Sequence, residues 1–152
     1  MSKTEVTKKF QARNVFHGTH GYFLWNGIPV MEASKFSIKI KTDREDMQFC
    51  NEMMKDTKLT ALGGEWSATL RKVYSRAREI AEAFKRGEDV RVSFVGTLCD
   101  PDALGQEKIT ISNCWFNDLS MMDWEVGKLV EEEYSGGFTD FDYNDSVATP
   151  AN

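Results

Sequence analysis

His17 and His20 are the chain's two histidines, and a spacing of three could bring both imidazoles to one metal ion. They sit in His17-Gly18-Thr19-His20-Gly21, where the glycines read as a turn, and no cysteine or acid at ligand spacing joins them. Cys50, Cys99 and Cys114 are odd in number and form no Cys-x-x-Cys, so neither a disulfide framework nor a zinc knuckle is indicated and reduced thiols are expected. Glu131-Glu132-Glu133 supplies neighbouring carboxylates for acid/base work, but neighbours on a strand point to opposite faces, and a charged strand face accounts for them more simply. The patterns G-x-S-x-G, G-x-x-x-x-G-K-[ST] and G-x-G-x-x-G are absent, so no nucleophile elbow or phosphate cradle is written into the chain. The expectation is a protein without catalytic, metal or cofactor residues, and not an enzyme.

The elements around these residues are mostly strands. Tyr22 to Trp25, Asn26-Gly27 and Ile28 to Val30 form an apolar run, a type I′ turn dipeptide and a second apolar run, which predicts an early β-hairpin. Phe36, Ile38 and Ile40 alternate with lysines and Ser37, as Trp66, Ala68 and Leu70 alternate with polar residues further on, and both read as strands with one buried face. Ala77, Ile80, Ala81 and Phe84 fall at helical spacing, with Ser75 as the expected N-cap and Gly87 as the stop. Val90 to Phe94 and Lys108 to Phe116 read as an antiparallel pair, and Leu129 to Tyr143 as a last strand region split at Gly136-Gly137. Six to eight strands with one helix predict a mainly β domain, either a β-sandwich or a partly closed antiparallel barrel with a single packed α-helix.

Between Thr42 and Gly64 the period is lost, although Met47, Phe49, Met53, Met54 and Leu59 keep the segment too apolar for simple disorder. A protruding loop or short helix that docks on a neighbour fits both facts, with Arg44, Asp46 and those five apolar residues as the predicted contact set. The division expected is an N-terminal arm at 1–14, one domain at 15–143 with the protrusion at 42–64, and a C-terminal tail at 144–152. With 152 residues, 41% hydrophobic and 28% charged, one domain can bury about 70% of the surface its unfolded chain exposes. A net charge of −5 argues against wrapping nucleic acid. The N-terminal sequence reads as neither a secretory signal nor an anchor. Lys3, Lys8, Lys9 and Arg13 make one end basic, while Asp123 to Asp145 is acidic, as two solvated surfaces or as a head-to-tail contact between copies. Trp25, Trp66, Trp115 and Trp124 are expected as core or interface anchors.

Three stretches, GYFLWNGIPVMEASKFSIKI (21–40), GGEWSATLRKVYSR (63–76) and DPDALGQEKITISNCWFNDLSMMDWEVGKLVEEEYSGGFTDFDYND (100–145), together resemble the tail tube proteins of contractile phage tails. The resemblance is to the type in PBSX-like defective prophages, clostridial phages and phage-tail-like bacteriocins. It implies a structural subunit that forms hexameric rings whose strands join into a continuous barrel. Stacked rings make a hollow tube that sheath contraction drives through a target envelope. The implied partners are further copies of the chain, the tail sheath, a tape-measure protein, and baseplate and tail-terminator proteins, with DNA at most as transiting cargo. Assembly in the bacterial cytoplasm into a virion tail or released particle is implied, with no membrane anchoring. Glu131, Glu132, Glu133, Asp140 and Asp142 are expected on an acidic lumen or a stacking surface. Other readings are the tube of a type VI secretion system or a non-contractile tail, and a monomeric barrel binding a small apolar ligand.

Overall fold

A computed structural model describes residues 9–150, so the lysines at 3 and 8 of the basic arm and the last two residues of the C-terminal tail lie outside the described residues. Strand β1 (Gly21–Trp25) turns into β2 (Ile28–Val30) through Asn26 and Gly27, whose φ values of 50° and 85° are the left-handed pair that a type I′ turn requires. Trp25 then faces Ile28 across the ladder. The next two strands are long: β3 (Ala33–Met47) and β4 (Asp56–Arg71) pair from Ala33 opposite Leu70 out to Met47 opposite Asp56. The segment 42–64, expected as a loop or short helix, is therefore the outer half of one β-hairpin. Residues 42–63 are exposed on both faces, so apolar and polar positions need not alternate there, and the strand signal fades from the sequence while the backbone ladder continues.

Helix α1 (Ala77–Lys85) follows β4, with Ala77, Ile80 and Ala83 buried. Arg76, in helical conformation, occupies the N-cap position without a side-chain cap bond. Ser75, expected there, contributes only its carbonyl, which accepts from the Arg78 N–H at 3.4 Å. The helix stops at Gly87, whose φ of 83° an L side chain rarely adopts. After it come β5 (Val92–Leu98), β6 (Glu107–Leu119), β7 (Glu131–Phe138) and β8 (Asp140–Asp145). Strands β5 and β6 form the predicted antiparallel pair. The last region does not divide at Gly136-Gly137. Strand β7 runs through both glycines, and the division falls at Thr139.

Neighbouring strands follow the order β2-β1-β5-β6-β7-β4-β3, with β8 added on β6. Two sheets result. The first contains β2, β1, β5, the beginning of β6, and β8; the second contains the end of β6, then β7, β4 and β3. Strand β6 belongs to both, and β7 and β8 run beside it as one strand that changes sheet at Thr139. Because β7 leaves the second sheet there, β3 and β4 continue beyond it unaccompanied, which is why their outer half stands out as an arm.

Between the sheets the inward alternate residues pack as aromatic rings. Phe23 stacks on Phe36 and Trp66 lies against Phe94, each pair with centroids 4.5 Å apart, and Trp25 and Phe116 close around them. Buried aromatics of this size dominate a core's hydrophobic stabilisation. The Trp66 indole N–H donates to the Trp115 carbonyl at 3.2 Å, so its polar edge is satisfied. Glu132, 3% exposed, accepts from Lys72 Nζ at 2.6 Å and from the Tyr134 hydroxyl, and Arg76 donates to Glu32 nearby. Burial is the main reason the Tyr134 phenol is pushed far above its usual range.

Cys114 is fully buried in this core, and burial raises its thiol to about 12, whereas Cys50 and Cys99 are exposed. Since the thiolate is the reactive form, an aromatic disulfide reagent at pH 8 is expected to label two thiols of the folded protein promptly and the third only in denaturant. Prompt labelling of all three would show that the core opens locally around β6.

Candidate functional site

Free strand edges and exposed apolar side chains are the features the fold displays. Among the described residues strand β3 pairs only with β4, leaving its other edge open along 15 residues. On the opposite border of the same sheet, Trp115 to Leu119 of β6 pair, among the described residues, only with β7. Open edges are templates for another strand.

The outward face of this second sheet is polar, and its charges divide by strand. On β3 and β4 it carries Lys35, Lys39, Lys41 and Arg71 against Glu65, a net +3. On β7 and β6 it carries Glu131, Glu133 and Asp118, a net −3. Lys41 and Lys39 lie 3.0 and 3.6 Å from Glu65, and the hydrogen bond from Lys41 is the largest cause holding that carboxyl below its usual range. Between the charged columns sit Ser37, Ser67, Thr69 and Ser135, the last donating to Asp118 at 3.2 Å.

All seven residues of the predicted contact set lie on the arm and are exposed, but they do not share a face. Arg44 stands opposite Leu59 and Asp46 opposite Thr57, so Arg44, Asp46 and Leu59 point one way, and Met47, opposite Asp56, points the other. Phe49, Met53 and Met54 form the tip, where the Glu52 N–H donates to the Phe49 carbonyl at 3.2 Å and Asn51 takes a φ of 63°. Met53 and Met54 are 92% and 84% exposed. Apolar surface gathered on a projection marks a place where another surface is to be covered.

A second apolar group was not singled out in the sequence beyond its Trp124, expected as a core or interface anchor. The connection 120–130 between β6 and β7 exposes Met121, Met122, Trp124, Val126 and Leu129. Its signal was a run of bulky apolar residues with neither helical nor strand period, the same signal that marked the arm. The two groups lie at opposite ends of the molecule: the arm extends past the β7–β8 junction, and the 120–130 connection leaves from the far end of β6.

The five acids expected together are separated. Glu131 and Glu133 are on the outward face of the second sheet. Asp140 and Asp142 alternate with Phe141 and Tyr143 on β8 and share the outward face of the first. Glu132 is corrected outright: it points between the sheets to Lys72 and Tyr134 and is lost to any surface. Among the described residues no three histidines, cysteines or acids are placed to hold a metal, and no helix is long and apolar enough to cross a membrane. His17 Nδ1 accepts from the Thr19 N–H at 3.1 Å, which uses one of its ring nitrogens to close the turn.

A model of the family described as phage tail tube protein matches residues 8–145. No curated protein matches the chain by sequence. Among solved structures, a chain of the anti-feeding prophage tube-terminating cap superposes with a TM-score of 0.69 at 8% identity, covering 94% of this chain and 97% of that one. A chain of the sheath–tube complex of the extracellular contractile injection system PVC, in its extended state, gives 0.66 at 7% identity over 89% and 95%. A chain of the virion of a native gene transfer agent gives 0.60 at 11% identity over 86% and 100%. At these identities the likeness is one of fold.

Proposed function

The chain belongs to the phage tail tube protein family, and from that premise we propose that it is the structural subunit of the inner tube of a contractile tail, phage or bacteriocin-like, joined edge to edge into rings. The observation that carries the reading is the pairing of two open edges with opposite charge on one polar face. When the inner part of β3 of one copy is laid along Trp115–Leu119 of the next, the open backbone groups of that β6 edge gain partners and the lysine column of one meets the acidic column of the other. The contact is heterologous, so repetition closes a ring if the rotation allows, six subunits being the number the resemblance implies.

In such a ring the outward face of the second sheet becomes the wall of the conduit. Its short hydroxyls and balanced charges give a passing chain or polyanion no single strong attachment. The role is mechanical and not catalytic. The first sheet and α1 face outward toward a sheath, while tape-measure, baseplate and terminator proteins meet the lumen and the two tube ends. Assembly in the bacterial cytoplasm and release within a tail particle follow from the same reading. The aromatic rings that fill the middle of the sandwich do not favour a barrel carrying a ligand. The domain division that suits this role is a body at 15–143 with the hairpin arm as its reaching element.

Negative-stain electron microscopy of the concentrated protein tests the proposal, with purified baseplates added as nuclei. Rings or hollow tubes of uniform diameter are expected; monomer that persists even with nuclei would overturn the reading. Lys39→Glu with Lys41→Glu is expected to raise the concentration needed for rings about tenfold or more, because like charges then face each other along the seam. Adding Asp118→Lys and Glu133→Lys should restore it. Unchanged rings from the first pair would remove β3 from the seam.

A further inference from the structure

We propose that the 120–130 connection is the receiving surface for the arm's tip, and that the tip it receives belongs to a copy in the next layer of the tube; the inference rests on the tube reading. The tip exposes Phe49, Met53 and Met54, and the connection exposes Met121, Met122, Trp124, Val126 and Leu129. Val126 is 88% and Leu129 92% exposed, so neither is packed by its own molecule. Four of the chain's seven methionines fall in these two places. Unbranched thioether side chains adapt to one another's shape, and Trp124 supplies the kind of large rigid anchor on which contacts between proteins concentrate.

The two surfaces do not meet within one copy. Strand β7 starts beside the connection at Glu131 and ends at Phe138, opposite Gly64, where the arm begins. Its eight residues, at roughly 3.4 Å each, put about 27 Å of sheet between connection and arm, and Lys41 to Met47 lead about 24 Å further away. Neighbours in one ring do not bring them together either. Each step from β3 across β4 and β7 to β6 is antiparallel, so β3 and β6 run in opposite directions. With hydrogen bonds running around the ring and every copy pointing the same way, β3 of one copy and β6 of the next pair antiparallel like the rest of the sheet. Every arm then rises on one side of the ring and every 120–130 connection lies on the other. A second ring stacked in the same direction sets connections over arms, and a contact between unlike surfaces propagates.

Charge fits the same placing. Between Gln48 and Lys55 the tip carries Glu52 and Lys55, a net of zero, so covering it strands no excess charge. Glu125 on the connection is held by Lys128 at 3.2 Å, which leaves Asp123 between Met122 and Trp124. Lys55 follows Met53 and Met54 as Asp123 follows Met121 and Met122, and neither has an ion-pair partner among the described residues. Methionine pairs in contact therefore bring a lysine to an aspartate at the rim of the patch. Asp123 lies outside the acidic column of Asp118, Glu131 and Glu133, so the seam between neighbours and the contact between layers draw on different carboxylates.

Cys50, exposed at the tip, is a handle for cross-linking. The full-length protein with Cys99→Ser and Val126→Cys is assembled on purified baseplates and treated with a short bis-maleimide, Leu129→Cys replacing Val126→Cys if the latter halts assembly. Denaturing gels are expected to show a ladder of covalent oligomers that runs past six, since each copy offers its tip to one layer and its connection to the other; Cys99→Ser alone should stay monomeric. A product that stops at the dimer would mean that like surfaces meet back to back, and a ladder that ends at six would mean neighbours in one ring; either overturns the inference. Asp123→Lys or Lys55→Asp alone should raise the concentration needed for tubes about threefold, and the two together should bring it back toward the parent's. A pair no better than the worse single change would also overturn it. Tubes without a ladder would sink the docking and leave the tube reading; a ladder from protein that shows no rings or tubes, even with baseplates, would do the reverse.

Discussion

Alanine at Gly136 is expected to cost at least about 3 kcal/mol, a large fraction of the roughly 5–15 kcal/mol that keeps a domain folded. The Cβ it adds would lie 1.7 Å from the Trp115 carbonyl oxygen and 2.7 Å from the carbonyl carbon. Both are backbone atoms, so no rotamer change relieves the overlap, and strands β6 and β7 must separate where Phe116 faces Gly136 and Trp115 faces Gly137. The same carbonyl accepts from the Trp66 indole, so separation also strips a hydrogen bond from the centre of the core. Gly63 is the control. A Cβ there meets nothing nearer than the Lys41 carbonyl oxygen at 4.0 Å, and alanine should change stability by no more than about 0.5 kcal/mol. Urea unfolding of the three proteins decides it, and a Gly136→Ala midpoint equal to that of the parent would mean the strands do not approach as described.

The second large effect leaves the fold alone. Met53→Asp or Met54→Asp is expected to abolish tube growth while the thermal midpoint of the subunit stays within about a degree of the parent. Both side chains are nearly fully exposed, and surface changes away from caps and cores are usually worth less than about 0.5 kcal/mol. If the tip is covered by a neighbouring copy, the same substitution buries an unpaired carboxylate at every repeat of the interface, at a cost of roughly several kcal/mol each time. Pelleting assays and electron microscopy on the variant, with Met53→Leu as the conservative control, give the answer. Normal tubes from either aspartate variant would take the arm's tip out of the contact.

Where burial differs between the two faces of an element, the sequence carries it. The Asn26-Gly27 turn, the alternation through Trp66, Ala68 and Leu70, and the spacing of Ala77 and Ile80 could all be read because one side of each meets the core. The arm could not be read as strand, since between Thr42 and Leu62 both faces meet solvent and nothing forces an alternation. Glycine was ambiguous for another reason. Gly136-Gly137 has the composition of a break, yet here it lets two strands and the Trp115 ring approach closely, a demand visible only in three dimensions. Glu132 was hidden by its neighbours: three glutamates in a row suggest a wet surface, whereas strand alternation sends the middle one inward to Lys72. The charge division across the second sheet depends on which strands are neighbours, and that follows from the order β6-β7-β4-β3.

Strand β6, and the continuous strand made by β7 and β8, each belong to both sheets. In a tube pushed from one end, with the two sheets as the outer and inner walls proposed above, thrust collected by one sheet has to reach the other without the two sliding over each other. Two covalent backbones that cross from wall to wall turn the sandwich into a braced frame, in which sliding requires stretching peptide bonds or unzipping the ladder around Thr139. The place to look for mechanical failure in an overloaded tube is therefore between subunits, and not inside them.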